Sequence, residues 1–135
     1  MYLPNDNVNV AEIFENAILQ MRDKRIEIKT QSWVPHSSFE NVHIKTIVDS
    51  EKANGMFSFH LMYLEPDAEI VNFELDGMLE VHSVIEGEGI CKIDDKEIKY
   101  LKGIVHNITD GEVFTLRAGS TGLKLLVIYA PGYWD

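Results

Sequence analysis

Glu80 and His82 are the residues of this sequence best placed to do chemistry together. They fall in the run Leu79–Ile85, which lies between Gly77 and the stretch Glu86-Gly87-Glu88-Gly89 and reads as a β-strand. Residues two apart in a strand share a face, so the carboxyl group and the imidazole point the same way. Glu74 and Asp76 share a face of their own just before the Gly77 bend. Such groups turned into an apolar interior are costly unless they are paired or bound to something. That cost points to a ligand, a metal or a proton-transfer role. The opposing reading is a polar interior in which Glu80 and His82 only hydrogen-bond to their neighbours.

The elements that must position these residues alternate with period two. Arg25–Thr30, Val42–Val48, Met56–Leu64, Ala68–Leu75 and Leu79–Ile85 each read as strands. Ile90–Ile93 and Glu97–Leu101 flank Asp94-Asp95, a hairpin signal. Gly103 and Thr109-Asp110-Gly111-Glu112 separate two further short strands, and Leu123–Tyr129 closes the series before Pro131-Gly132. Roughly nine or ten short strands at regular spacing suggest a sandwich or closed barrel, which also removes exposed strand edges. Ahead of them, Asn9 and Glu12 resemble a capping box, and Ile13, Phe14, Ala17, Ile18 and Met21 recur at helical spacing. The spacing predicts a helix over Val10–Lys24, packed on its own barrel or against a second subunit. The division expected is an N-terminal extension over residues 1–24 and a single barrel domain over residues 25–135.

The chain of 135 residues is 45% apolar, enough for one core. Its net charge of -10 argues against nucleic acid and against an anionic membrane face. No apolar run reaches the ~18 residues of a membrane span. Met1–Asp6 lacks the basic flank and apolar stretch of a signal peptide, so a cytoplasmic location is expected. Cys91 is the single cysteine, so no internal disulfide forms, and it reads as a buried small apolar residue. His36 and His43 read as surface residues, and Trp33 as a packing residue or a cover for the barrel mouth. Trp134, at the free end, carries no assignment.

The words Phe57-Ser58-Phe59-His60, Leu79-Glu80, Ile85-Glu86-Gly87-Glu88-Gly89, Thr115-Leu116-Arg117-Ala118 and Pro131 stand in an order that resembles the cupins. Within that superfamily the nearest resemblance is to the ectoine synthase family. The likeness runs from about Gly55 to Pro131. It implies an all-β fold, the cupin double-stranded β-helix or jelly-roll barrel, here with an N-terminal α-helix. Ectoine synthases use iron, held by a glutamate, a tyrosine and a histidine, to cyclise an acetylated diamino acid with loss of water. Carried across, the glutamate falls on Glu80, the tyrosine position on His106 and the histidine position on Phe114. The histidine pair of the general cupin pattern falls on Glu74 and Asp76, and its second-motif histidine on His106.

The implied ligand set is therefore altered, and two outcomes are open. Glu80, His82 and His106 form a set of two histidines and one carboxylate that suits a divalent Fe, Mn or Zn ion. Alternatively the site is metal-free, and the same three residues bind or protonate a substrate directly. His60, Glu74, Asp76, Phe114 and Tyr129 are the expected substrate-binding residues. A lumen so lined favours a cationic or hydroxyl-rich ligand. The function expected is a lyase, cyclase or isomerase acting on a small polar metabolite, as a homodimer of the kind cupins often form. A non-catalytic ligand-binding barrel is the alternative.

Overall fold

The computed structural model describes residues 8–133. The readings placed on Met1–Asp6 and Trp134 lie outside them. In chain order the elements are α1 (Val10–Glu15), β1 (Ile18–Gln20), β2 (Arg25–Glu27), β3 (Val34–Pro35), β4 (Val42–Val48), β5 (Ser58–Leu64), β6 (Glu69–Glu74), β7 (Leu79–Ile93), β8 (Lys96–Tyr100), β9 (Val105–Ile108) and β10 (Val113–Ala130).

The barrel rests on two long antiparallel strands, β7 and β10. The first half of β7 pairs with the second half of β10, and this layer continues through β5, β4 and β3 on one side and β9 on the other. The second half of β7 pairs with the first half of β10, flanked by β8 and β6. The inner faces of both layers meet in one core that includes Met62, Leu64, Ile70, Leu75, Leu116, Leu125 and Val127. The arrangement is the expected jelly-roll barrel. Where Glu86-Gly87-Glu88-Gly89 suggested a strand end, β7 runs on through it to Ile93, and the strand expected at Leu123–Tyr129 is the second half of β10, which runs from Val113 through Gly119–Gly122. Their register shifts there instead of breaking.

The helix expected over Val10–Lys24 ends at Glu15. Asn9 does cap it, its side chain accepting from the Glu12 N–H at 3.0 Å. Asn16 closes it: its side-chain amide donates to the Glu12 carbonyl at 2.9 Å, and its backbone N–H donates to the same carbonyl at 3.1 Å. Ile18–Gln20 then pairs with Arg25–Glu27 in a hairpin of its own, so Arg25–Thr30 is not a barrel strand. Ala11 and Phe14 pack with Ile28, Ile47, Leu61 and Ile85 on the outer face of the β4–β5 side. Full burial of Ile28 and Leu61 contributes roughly 1.5–3 kcal/mol each. No helix among the described residues is long and apolar enough to cross a membrane.

Candidate active site

Register builds the site as two rows across the inner face of one layer. Thr46, His60, Val127, His82 and His106 stand opposite one another on β4, β5, β10, β7 and β9. One step along, Ser58, Tyr129, Glu80 and Ile108 do the same on β5, β10, β7 and β9. The period-two reading of Glu80 and His82 is thus realised, and both are buried with side chains 1% and 0% exposed.

Each polar group in these rows has a defined neighbour. His60 touches the Thr46 hydroxyl through Nδ1 at 2.9 Å and the Ser58 hydroxyl through Nε2 at 2.8 Å. His82 makes a short hydrogen bond to Glu80 Oε2 through Nε2. Its Nδ1 lies 2.8 Å from the Tyr100 hydroxyl, which lies 2.7 Å from His106 Nδ1. Glu80 Oε1 has no hydrogen-bond partner among the described residues. Leaving such an acceptor buried and unsatisfied costs about 1–3 kcal/mol. A tight crevice with no room for a water-sized sphere adjoins Glu80, walled by His36, Met62, Ile70, Phe73, Phe114 and Tyr129. Phe114 also sets its ring edge-on to His82 at 5.3 Å, and Tyr129 sets its ring edge-on to His60 at 5.5 Å. A wider cleft lies between Gln31–Ser37 and β4 and reaches the inner row at Thr46. Its ionisable residues, Asp49 and Lys52, are paired with each other at 2.6 Å, so the crevice at Glu80 is the one that meets an unsatisfied group.

Burial sets the protonation of several groups. It pushes the Cys91 thiol up to about 11, which leaves it an unreactive thiol at neutral pH, as the sequence suggested. It raises Tyr100 as well, so the phenol keeps its proton. His106 is held below the ordinary imidazole value, first by burial and then by His82, against an opposing effect of Glu112. His36 is lowered by burial. Both imidazoles are therefore held neutral by the fold. Their contribution to stability is fully present above about 6.5, the unfolded value, and is lost as pH falls from there through the lowered folded values. Urea midpoints are expected to drop between pH 7.5 and pH 5.5, and the drop should shrink in His106→Gln. An unchanged slope in that variant would remove the assignment. Asp49 and Glu112, lowered by hydrogen bonds from Lys52 and Thr109, act in a separate window, where stability is lost as pH falls below about 4.

Solved structures share the barrel fold. A predicted oxalate decarboxylase from Thermotoga maritima superposes with a TM-score of 0.71 over 78% of this chain and 97% of its own, at 19% identity. The chain has the cupin fold. The polyketide cyclase RemF from Streptomyces resistomycificus matches this cupin barrel with a TM-score of 0.67 over 83% of this chain and 87% of its own, at 14% identity. Ectoine synthase from P. lautus matches it at 0.59 over 67% and 64%, at 17% identity. No family model and no curated protein sequence matches the chain.

Within this cupin barrel the expected residues divide sharply. Glu80, His82, His60, Phe114 and Tyr129 lie together in the interior, and His106 sits at its partly exposed margin. Glu74 and Asp76 do not line the lumen; both are exposed. The cause is a bulge. Asn72 adopts φ 50°, and four residues of β6 (Ile70 to Phe73) are set against three of β10 (Leu116 to Phe114). From there Phe73 and Leu75 take the inward places, and Glu74 and Asp76 turn out. The lumen therefore carries fewer carboxylates than the sequence suggested, and the cationic or hydroxyl-rich ligand loses its basis. His36, expected on the surface, is 9% exposed and walls the crevice. Tyr100 was missed altogether; its only signal was its place on the inward alternation of β8, two residues after Ile98.

The residues fit a metal ion poorly. No group of three His, Cys, Asp or Glu side chains among the described residues converges on a common point. Glu80, His82 and His106 are strung out in line, with both nitrogens of His82 already engaged and Tyr100 standing between His82 and His106.

Proposed function

We propose that this chain is a small-molecule enzyme in which Glu80 moves a proton on a compact substrate held in the barrel, in a lyase, cyclase or isomerase reaction. The observation that carries the reading is Glu80 Oε1, a buried acceptor without a partner among the described residues, at the edge of a tight crevice. A hydrogen-bonding group on a ligand would satisfy it, and a carboxyl group within reach of a substrate proton is a general acid or base. His82 holds the other oxygen and so fixes the orientation of the carboxyl group. Apart from Glu80 and His36 the walls are Met62, Ile70, Phe73, Phe114 and Tyr129, so the ligand presents a proton-bearing polar group on a mostly apolar body. The crevice has no room even for a water-sized sphere, so a ligand enters only when these side chains move aside. The cyclase and synthase names among the fold neighbours are in keeping with such chemistry.

Proton transfer of this kind leaves a trace in heavy water. Incubation with pooled small metabolites in D₂O should yield at least one compound that gains deuterium with the wild-type protein and not with Glu80→Gln. Labelling that is absent, or equal in the two proteins, would overturn the reading and favour a barrel that only binds. Elemental analysis gives an independent check. The purified protein is expected to carry no stoichiometric Fe, Mn or Zn that Glu80→Gln removes; such a metal would restore the three-residue centre in place of direct acid–base catalysis.

A further inference from the structure

We infer that Tyr100 joins His82 to His106 in a proton relay that connects the buried Glu80 with the partly exposed margin of the barrel. Glu80, His82 and Tyr100 are each 0–1% exposed, and His106 is the first member of the chain that solvent reaches. With Glu80 ionised and His82 neutral, the donors and acceptors admit one order. A hydroxyl has a single hydrogen, so Tyr100 can donate to only one of the two imidazole nitrogens beside it and must accept from the other. With Glu80 ionised, His82 Nε2–H donates to Glu80, Tyr100 O–H donates to His82 Nδ1, and His106 Nδ1–H donates to Tyr100.

In that order all hydrogens point toward Glu80, and each hand-off balances. Water gives a proton to His106 Nε2. His106 releases its Nδ1 proton to the Tyr100 oxygen, Tyr100 passes its own to His82 Nδ1, and His82 passes its Nε2 proton to Glu80 Oε2. One proton enters, Glu80 becomes neutral, and the other three groups end uncharged. The same three hydrogen bonds persist with reversed polarity. The groups that face this chain are His36 and Tyr129 beside Glu80, Cys91 in hydrogen-bond contact with Tyr100, Glu112 near His106 and the edge of Phe114 against His82. None of them stands between two members of the chain, which touch directly. The inference rests on the proposed catalytic role only for what the delivered proton is used for.

The test needs no substrate. Nitrogen-15 NMR of the histidine side chains should find opposite tautomers at neutral pH, Nε2–H on His82 and Nδ1–H on His106. On acidification both rings should switch together, at one midpoint, to Nδ1–H on His82 and Nε2–H on His106. A hydrogen bond of purely structural value would let His106 titrate while His82 kept its tautomer, and that result overturns the relay. In Tyr100→Phe, which preserves the ring, the joint switch should vanish and His106 should titrate alone. Like tautomers on the two wild-type rings would also overturn the relay, so the wild-type spectra decide the matter even if the variant does not fold. Because deuterium incorporation is measured separately, a failed catalytic reading and a failed relay give different results.

Discussion

Glu80→Gln is expected to lower deuterium incorporation by about 10²–10⁴-fold, the range that general acid–base groups contribute, without lowering the melting temperature. The two readouts together separate a working carboxyl group from a structural one. The amide oxygen of Gln can still accept from His82 Nε2, so the bond that positions the side chain survives. What changes is the group offered to the crevice, from a carboxyl oxygen without a partner to a neutral NH₂. Burying a neutral unsatisfied group costs less than burying one that carries charge. Stability is thus unchanged or raised, the usual relation between a functional site and the fold that carries it. If Glu80 served only as an anchor, the substitution would leave ligand handling intact, since Gln keeps the bond to His82. Paired measurements on one preparation would show which of the two holds.

The legibility of this protein followed the range over which each feature is decided. β4 spans Val42–Val48, as read from the sequence, because its alternation is a local property of one buried face. Glu80 and His82 were placed on a common inward face for the same reason. Residues brought in by pairing across the barrel were not legible: the role of Tyr100 depends on β8 lying beside β7, and that of His36 on the segment after β3 closing over the crevice. Glu74 and Asp76 failed for an intermediate reason. Strict alternation from Ile70 puts them inside, and one left-handed Asn72 reverses it. The helical spacing of Ile13 and Ile18 misled because neither is buried; both are half exposed, at 56% and 50%.

Gly87→Ala should be the most damaging single-methyl change at the corner where β7 passes from one layer to the other. Gly87 stands opposite Leu123 at a point where β10 carries the four residues Gly119–Gly122 against Glu88 alone on β7. Its φ is +80°, and a Cβ there would lie 2.1 Å from the Gly122 carbonyl oxygen and 3.1 Å from the Leu123 Cα. Those neighbours are backbone, so no side chain can swing aside. The conformational strain costs ~1–3 kcal/mol, and relief of the overlap by shifting strands costs a further ~1–3 kcal/mol. A total near ~3 kcal/mol corresponds to a melting temperature lower by about 10 °C in a domain of this size. Gly103→Ala isolates the first contribution, since Gly103 also has a positive φ, +95°, but nothing within 4 Å of its would-be Cβ. It should lose only about half as much. Equal losses in the two variants would show that the close approach of β7 and β10 is not what requires glycine here. A larger loss in Gly87→Ala would tie the glycine of the Glu-Gly-Glu-Gly stretch to the strand crossing that sets Glu80 and His82 opposite Tyr129 and Val127.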